Sequence, residues 1–424
     1  MRLFTIAVFM LAGAAGAAPM LDGDVTVAQA DDSLVTVTYG IKGESAIVTV
    51  DIQTNGPAGY ASIDQAFLTN VYGDVNVKVP VGKEKKIYWN PAATVTGRLK
   101  APAARAVVTL HATNSPPDYA VVDISSGTQA GSASFKFYPN AEQIPFGVTN
   151  VRYKTTHCIL RRIRAAGVLW PMGEGGTRHF VALPDDYYLG IYELTQGQLR
   201  KAVASLSLSV LDRTMDNADL CPAAGAITYT NIRGGNNWPE ASDHSFVNSW
   251  AYLQYVRNKV GGLFKLDLPT EAQWEYAARA GEYAAEYAHG AEVFDGFGAY
   301  AWCSSNVAES ATLQEVGTRL PNRWGLYDMF GNASEWCLDN YRADYGMSLP
   351  EYDDVNFAGP ATDSIPNGGN IPNPDVADKV VRGGSYKDGA DGMKCSYRKH
   401  TYRGTTDSGK DIGFRLCAPA VYPY

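Results

Sequence analysis

Two stretches near the start of the chain alternate apolar or β-branched residues with polar ones. SLVTVTYGI (33–41) and SAIVTVDIQ (45–53) flank a KGE turn, the pattern of two strands with one face buried. Runs of the same kind stand at 74–80, 85–89, 105–112 and 119–124, separated by Gly, Pro and Asn. Six or seven short strands without a helical period predict a small all-β sandwich of immunoglobulin or fibronectin type over 20–125. It holds no cysteine, so it lacks the inter-sheet disulfide of an antibody-like domain. The Ser-, Gly-, Asn- and Pro-rich stretch 126–147 reads as a linker. From 148 to 424 the texture changes to short mixed elements divided by Gly/Asn loops. Three helices are predicted there. One starts at Thr195, where T-x-x-Q with Gln198 can close a capping box. A second spans about 245–260, with Phe246, Trp250, Leu253 and Val260 on or near one face and Gly261-Gly262 as its stop. The third is LPTEAQWEYAARAG, 268–281, with a second T-x-x-Q at Thr270 and Gln273 and a terminating Gly281.

Composition narrows the functions. The 424 residues are 46% hydrophobic and 19% charged, which is globular, and allow two or three domains. A formal charge of −8 without a Lys/Arg block lacks the footprint of a nucleic-acid binder. The first residues, MRLFTIAVFMLAGAAGAAPM, carry one Arg, a short apolar run and small residues around Ala15-Gly16-Ala17. This reads as a secretory signal peptide, 1–18, with an N-terminal lipid-facing anchor as the alternative. No other run approaches 18 uninterrupted apolar residues, so no membrane span is expected. Export would place the six cysteines (Cys158, Cys221, Cys303, Cys337, Cys395 and Cys417) where disulfides persist, and an even count allows three bridges.

Four ordered stretches carry a resemblance. WPMGEGGTRHFVALPDDYYLGIYELTQGQ, LPTEAQWEYAARAG, NRWGLYDMFGNASEW and VVRGGSY…SYRKH…DIGFRLC are similar to the formylglycine-generating enzyme, or sulfatase-modifying factor, family over roughly 150–424. The resemblance implies a modified C-type-lectin-like α+β domain, so the fold class expected for the whole chain is multidomain, sandwich plus lectin-like domain.

NRWGLYDMFGNASEW has a reading of its own. Ca²⁺ takes six to eight oxygens, often carboxylates mixed with carbonyls of a tight turn. Asp328 and Glu335 offer two carboxylates, and Gly331 permits the turn between them. The resemblance implies a structural calcium held by both side chains and by the carbonyls of Gly331 and Ala333. The alternative is that Asp328 caps a turn while Glu335 is solvated. For the family's other calcium site only Asn306 with Val307 is a candidate. In the RGGSY turn two glycines permit positive φ or close approach. Ser385 follows them, and the resemblance places it beside the enzymes' active cysteines; it is the one catalytic candidate.

The aerobic enzymes of this family hold Cu(I) between the cysteines of a C-x4-C that closely follows RGGS. Cu(I) favours paired soft thiolates, and one alone holds it weakly. Here Lys387 and Asp388 stand where the first cysteine should begin, no C-x4-C exists, and copper is not expected. Cys395 aligns with a structural cysteine of some members, whose customary partner position falls near Ala278. It is expected to pair with Cys417 or to stay a buried thiol. Ser334 replaces the aromatic that follows GNA in the enzymes. The six histidines do not form the H-x3-H-x-E of the related iron-dependent sulfoxide synthases, and HExxH and Walker-type loops are absent. Tyr397, Arg398, His400, Tyr402 and Arg403 are candidates for a polar binding groove. The expectation is an exported family member in a binding or assembly role, toward a protein or glycan. The alternatives are an oxidoreductase of the same type with a divergent site, and a lectin-like ligand binder.

Overall fold

The computed structural model describes residues 18–30, 34–95, 103–125, 135–175, 178–202, 217–224, 227–234, 247–262, 265–287, 296–308, 312–341, 378–402 and 411–420. The chain divides into two compact units, Met1–Ser115 and Pro116–Tyr424.

The first unit is all-β. Its strands are β1 (Met20–Leu21), β2 (Thr26–Ala30), β3 (Leu34–Lys42), β4 (Ala46–Gly56), β5 (Gly59–Ser62), β6 (Val71–Gly73), β7 (Lys78–Val79), β8 (Gly82–Trp89) and β9 (Ala104–Ala112). One antiparallel sheet runs β1-β3-β8-β6, with β2 also on β3; the other runs β5-β4-β7, with β9 on β4. The alternation read at 33–41 is real, since Val35, Val37 and Tyr39 of β3 are buried while Thr36 and Thr38 are half-exposed. They meet Ile87 and Trp89 of β8, Ala46, Val48 and Ile52 of β4 and Val108 of β9 in one core. Each valine or isoleucine among them contributes about 1.5–3 kcal/mol by leaving water.

The strand foreseen at 119–124 belongs to the second unit, contrary to the sandwich boundary at 125. It is β10 (Tyr119–Asp123), paired antiparallel with β11 (Phe135–Tyr138) and with β12 (His157–Ile163). The linker reading of 126–147 is corrected too: Phe135, Phe137 and Ile144 are buried. Alternation marks a half-buried strand but not the sheet it joins, and in this case the partner strands lie downstream. The sheet continues through β15 (Tyr187–Gly190) to β20 (Cys417–Pro419). In the chain, between β12 and β15, lies the separate hairpin β13 (Val168–Met172) and β14 (His179–Leu183).

A second sheet is built from β16 (Ser334–Asn340), β17 (Asp378–Arg382), β18 (Arg398–Tyr402) and β19 (Ile412–Gly413) in the order β18-β17-β16-β19. Only the β16/β19 pair is parallel, and every residue of β16 is buried. The helices are α1 (Gln196–Ala202), α2 (Tyr229–Arg233), α3 (Tyr252–Lys259) and α4 (Glu271–Ala278). Both T-x-x-Q readings hold. Thr195 Oγ1 accepts from Gln198 N at 3.1 Å and Thr270 Oγ1 from Gln273 N at 3.2 Å, each glutamine reaching back to the threonine N–H. The second helix is shorter than foreseen. It starts at Tyr252, leaving Trp250 outside it and 47% exposed. Phe246 lies outside the described residues. Among the described residues no helix is long and apolar enough to cross a membrane.

Candidate functional site

The motifs singled out in the sequence converge. Gly331 N donates to Gly383 O at 2.9 Å, Asn332 N to Trp302 O at 2.9 Å and Tyr386 N to Asn332 O at 3.0 Å, so the GNA turn joins the RGGS turn and the 302–304 loop. Gly331 is obligatory there. Its φ is 70°, and a Cβ would lie 2.0 Å from Trp302 O. Gly384 (φ 64°) would likewise place a Cβ 2.3 Å from Gly392 O.

Ser385 emerges from this turn fully buried. Its Oγ lies 2.9 Å from Asp388 Oδ2 and 2.8 Å from Asp411 Oδ2, and its N–H donates to Asp388 Oδ2 at 2.7 Å. Asp388 also takes Lys399 Nζ, and Asp411 Oδ1 takes Lys387 Nζ at 3.2 Å. Two carboxylates and two ammonium groups thus close around one hydroxyl. A serine so enclosed is not solvent-accessible, and both carboxylates it meets are themselves tied to lysines.

The thiols are equally withdrawn. All six cysteines are buried and unpaired, so Cys395 takes the second of its two foreseen states and forms no bridge to Cys417. Burial pushes the thiols of Cys158, Cys221 and Cys395 up to about 12, and those of Cys337 and Cys417 well above the ordinary range.

The calcium reading meets a different charge pattern. Glu335 is buried, not solvated, and accepts from Trp274 Nε1 at 2.7 Å and from Arg415 Nε at 2.9 and 2.7 Å. Asp328 Oδ2 accepts from Gly317 N at 2.6 Å, whereas the buried Oδ1 has no partner. Glu193, which the sequence reading did not single out, accepts from Ala333 N at 2.9 Å and Asn332 Nδ2 at 2.8 Å. Burial, then the Asp328 and Glu335 charges, raise Glu193 well above the carboxylate range; burial raises Asp328 to about 6. Of the six oxygens on these carboxylates only Asp328 Oδ1 lacks a protein donor, so the set does not fit calcium held by both side chains. Among the described residues no group of three or more His, Cys, Asp or Glu is arranged to hold a metal ion. Asn306 is also engaged, taking Cys303 N at 3.0 Å and giving its amide to Ala301 O at 2.8 Å.

Of the groove candidates, the structure brings Arg398 and His400 together. Both contact Tyr341, the guanidinium 4.9 Å from the ring centroid and the imidazole stacked at 4.1 Å. Arg398 Nη2 also donates to Glu271 Oε2 at 2.6 Å, and His400 Nδ1 lies 2.6 Å from Asp378 Oδ2. Tyr397 is half-buried and its carbonyl accepts from Arg382 Nη1 at 2.7 Å. The backbone of Tyr402 faces Asp378, while Arg403 lies outside the described residues. Lys399 points away from this pair, to Asp388.

Sheets and hairpin around one core, few helices and two converging glycine turns define a C-type-lectin-like domain of the formylglycine-generating type. The chain belongs to the family of the sulfatase-modifying factor enzyme 1-like domain, whose model matches residues 155–420. The formylglycine-generating enzyme of Streptomyces coelicolor is 33% identical over 187 residues, which cover 39% of this chain and 52% of that enzyme. Serine/threonine-protein kinase pkn1 of Chlamydia pneumoniae is 34% identical over 155 residues, 36% of this chain and 21% of the kinase. The chain therefore spans about half of the one relative and a fifth of the other. The solved structure of Treponema denticola variable protein 1 is 20% identical, covers 62% of this chain and 96% of its own, and aligns with a TM-score of 0.44.

Proposed function

We propose that this is an exported member of the sulfatase-modifying factor family in which paired-cysteine copper chemistry is lost and the second unit serves binding or assembly. One observation carries the reading. Where the resemblance puts the start of the copper pair stand Lys387, tied to Asp411, and Asp388, tied to Ser385 and Lys399. An ammonium and a carboxylate paired to other groups offer Cu(I) no soft thiolate. The six thiols are each buried and none is joined to another, so no exposed pair stands in for the missing one. In this reading the first unit is an immunoglobulin- or fibronectin-like spacer without chemistry, and residues 1–18 are removed on export.

The test is to incubate the purified chain with Cu(I) and a cysteine peptide of sulfatase type while recording oxygen uptake and aldehyde formation. No turnover above a copper-only control is expected. Peptide aldehyde formed in proportion to the protein would overturn the reading.

A further inference from the structure

Arg415, two residues before β20, spends its donors on oxygens that a hard cation would also collect. Nε and Nη2 fork onto Glu335, whose two oxygens both accept from the guanidinium. Nη1 donates to Gly190 O at 3.0 Å, and Nη2 also reaches Tyr327 O and Asp328 O, each at 3.1 Å. The planar cation thus gathers three carbonyls and one carboxylate at a fully buried point. These come from the end of β15, the turn before the GNA segment and β16. An oxygen shell of this kind is what a calcium ion assembles from a tight turn, and a guanidinium presents five donors in a fixed fork that can do the same.

We propose that Arg415 is the built-in counter-cation of the 327–335 segment, and that the second unit holds its fold without a bound divalent ion. Of the remaining carboxylate oxygens all but the buried Asp328 Oδ1 are met by protein donors. Glu193 has two protein donors and Asp328 has one. A calcium ion entering beside Glu335 would have to displace a bidentate partner that is itself anchored to three carbonyls. The proposal concerns architecture, and stands whether or not the domain has lost copper chemistry.

The experiment uses the full chain. Its thermal midpoint is measured in excess EGTA and in millimolar calcium, and Tb³⁺ is titrated with excitation of tryptophan, since Trp274 hydrogen-bonds Glu335. The two midpoints are expected to agree within about 1 °C, with no saturable terbium emission. Arg415→Lys, a point charge that cannot span the five oxygens, is expected to lower the midpoint by about 5–10 °C in both buffers. A wild-type midpoint that falls by more than about 5 °C in EGTA overturns the proposal. So does saturable terbium emission abolished by Glu335→Gln, or a lysine variant as stable as the wild type. If the lysine variant does not fold, the two wild-type measurements decide alone.

Discussion

Cys395 shows how one side chain can be present without being available. It is fully buried beside Arg279, Glu275 and Arg382, and its backbone N–H donates to Glu286 O at 2.8 Å. Because burial lifts its thiol to about 12, the thiolate fraction at pH 8 is on the order of 10⁻⁴. The native chain should therefore resist iodoacetamide at pH 8, while the denatured, unreduced chain should titrate six thiols with Ellman's reagent. Fewer than six would mean that disulfides form. The sequence left Cys395 with two outcomes because spacing carries no distance. Asp388 was legible as a replaced residue, but its partner Lys399 was not singled out, since only the strand's direction shows that it turns away from Arg398 and His400. Arg415 and Glu335 were each visible inside a motif. Their pairing was not, because 80 positions separate them.

Among the elements, the β12–β15 pair is fixed by a single carboxylate. Asp186 Oδ1 accepts from Ala165 N at 2.8 Å and Ala166 N at 2.9 Å, and Oδ2 from Arg162 Nε at 2.8 Å. Burial pushes Asp186 up, but these hydrogen bonds and the Arg162 charge outweigh it and hold the carboxyl below its usual range. A folded-state value below the unfolded one gives stability that is present above about pH 4 and lost as pH falls through the lowered value. Asp186→Asn should cost about 2 kcal/mol at pH 7 by denaturant unfolding, with the gap to the wild type closing near pH 2. A gap that persists at low pH would contradict this account. Local signals served the elements well. Both T-x-x-Q boxes were readable because cap and partner sit three residues apart, while the start of α3 was misplaced because the apolar period runs on past its true first turn through Trp250.

At the scale of the molecule, the boundary between the units falls near residue 116. Each unit has its own core. A fragment 116–424 should unfold in one cooperative transition, whereas 148–424 lacks β10 and β11 and leaves the edge of β12 uncovered. Soluble, cooperatively folding 148–424 would restore the boundary read from the sequence. That boundary was not legible because a strand's pattern is the same whichever sheet it enters.

The reach of Arg415 back to Gly190 spans 225 positions. During translation the oxygens around it are synthesised long before the guanidinium arrives, so the second unit cannot close vectorially as the nascent chain emerges. The buried ion pair of Arg415 with Glu335 and its bond to Gly190 can form only once residue 415 has been delivered.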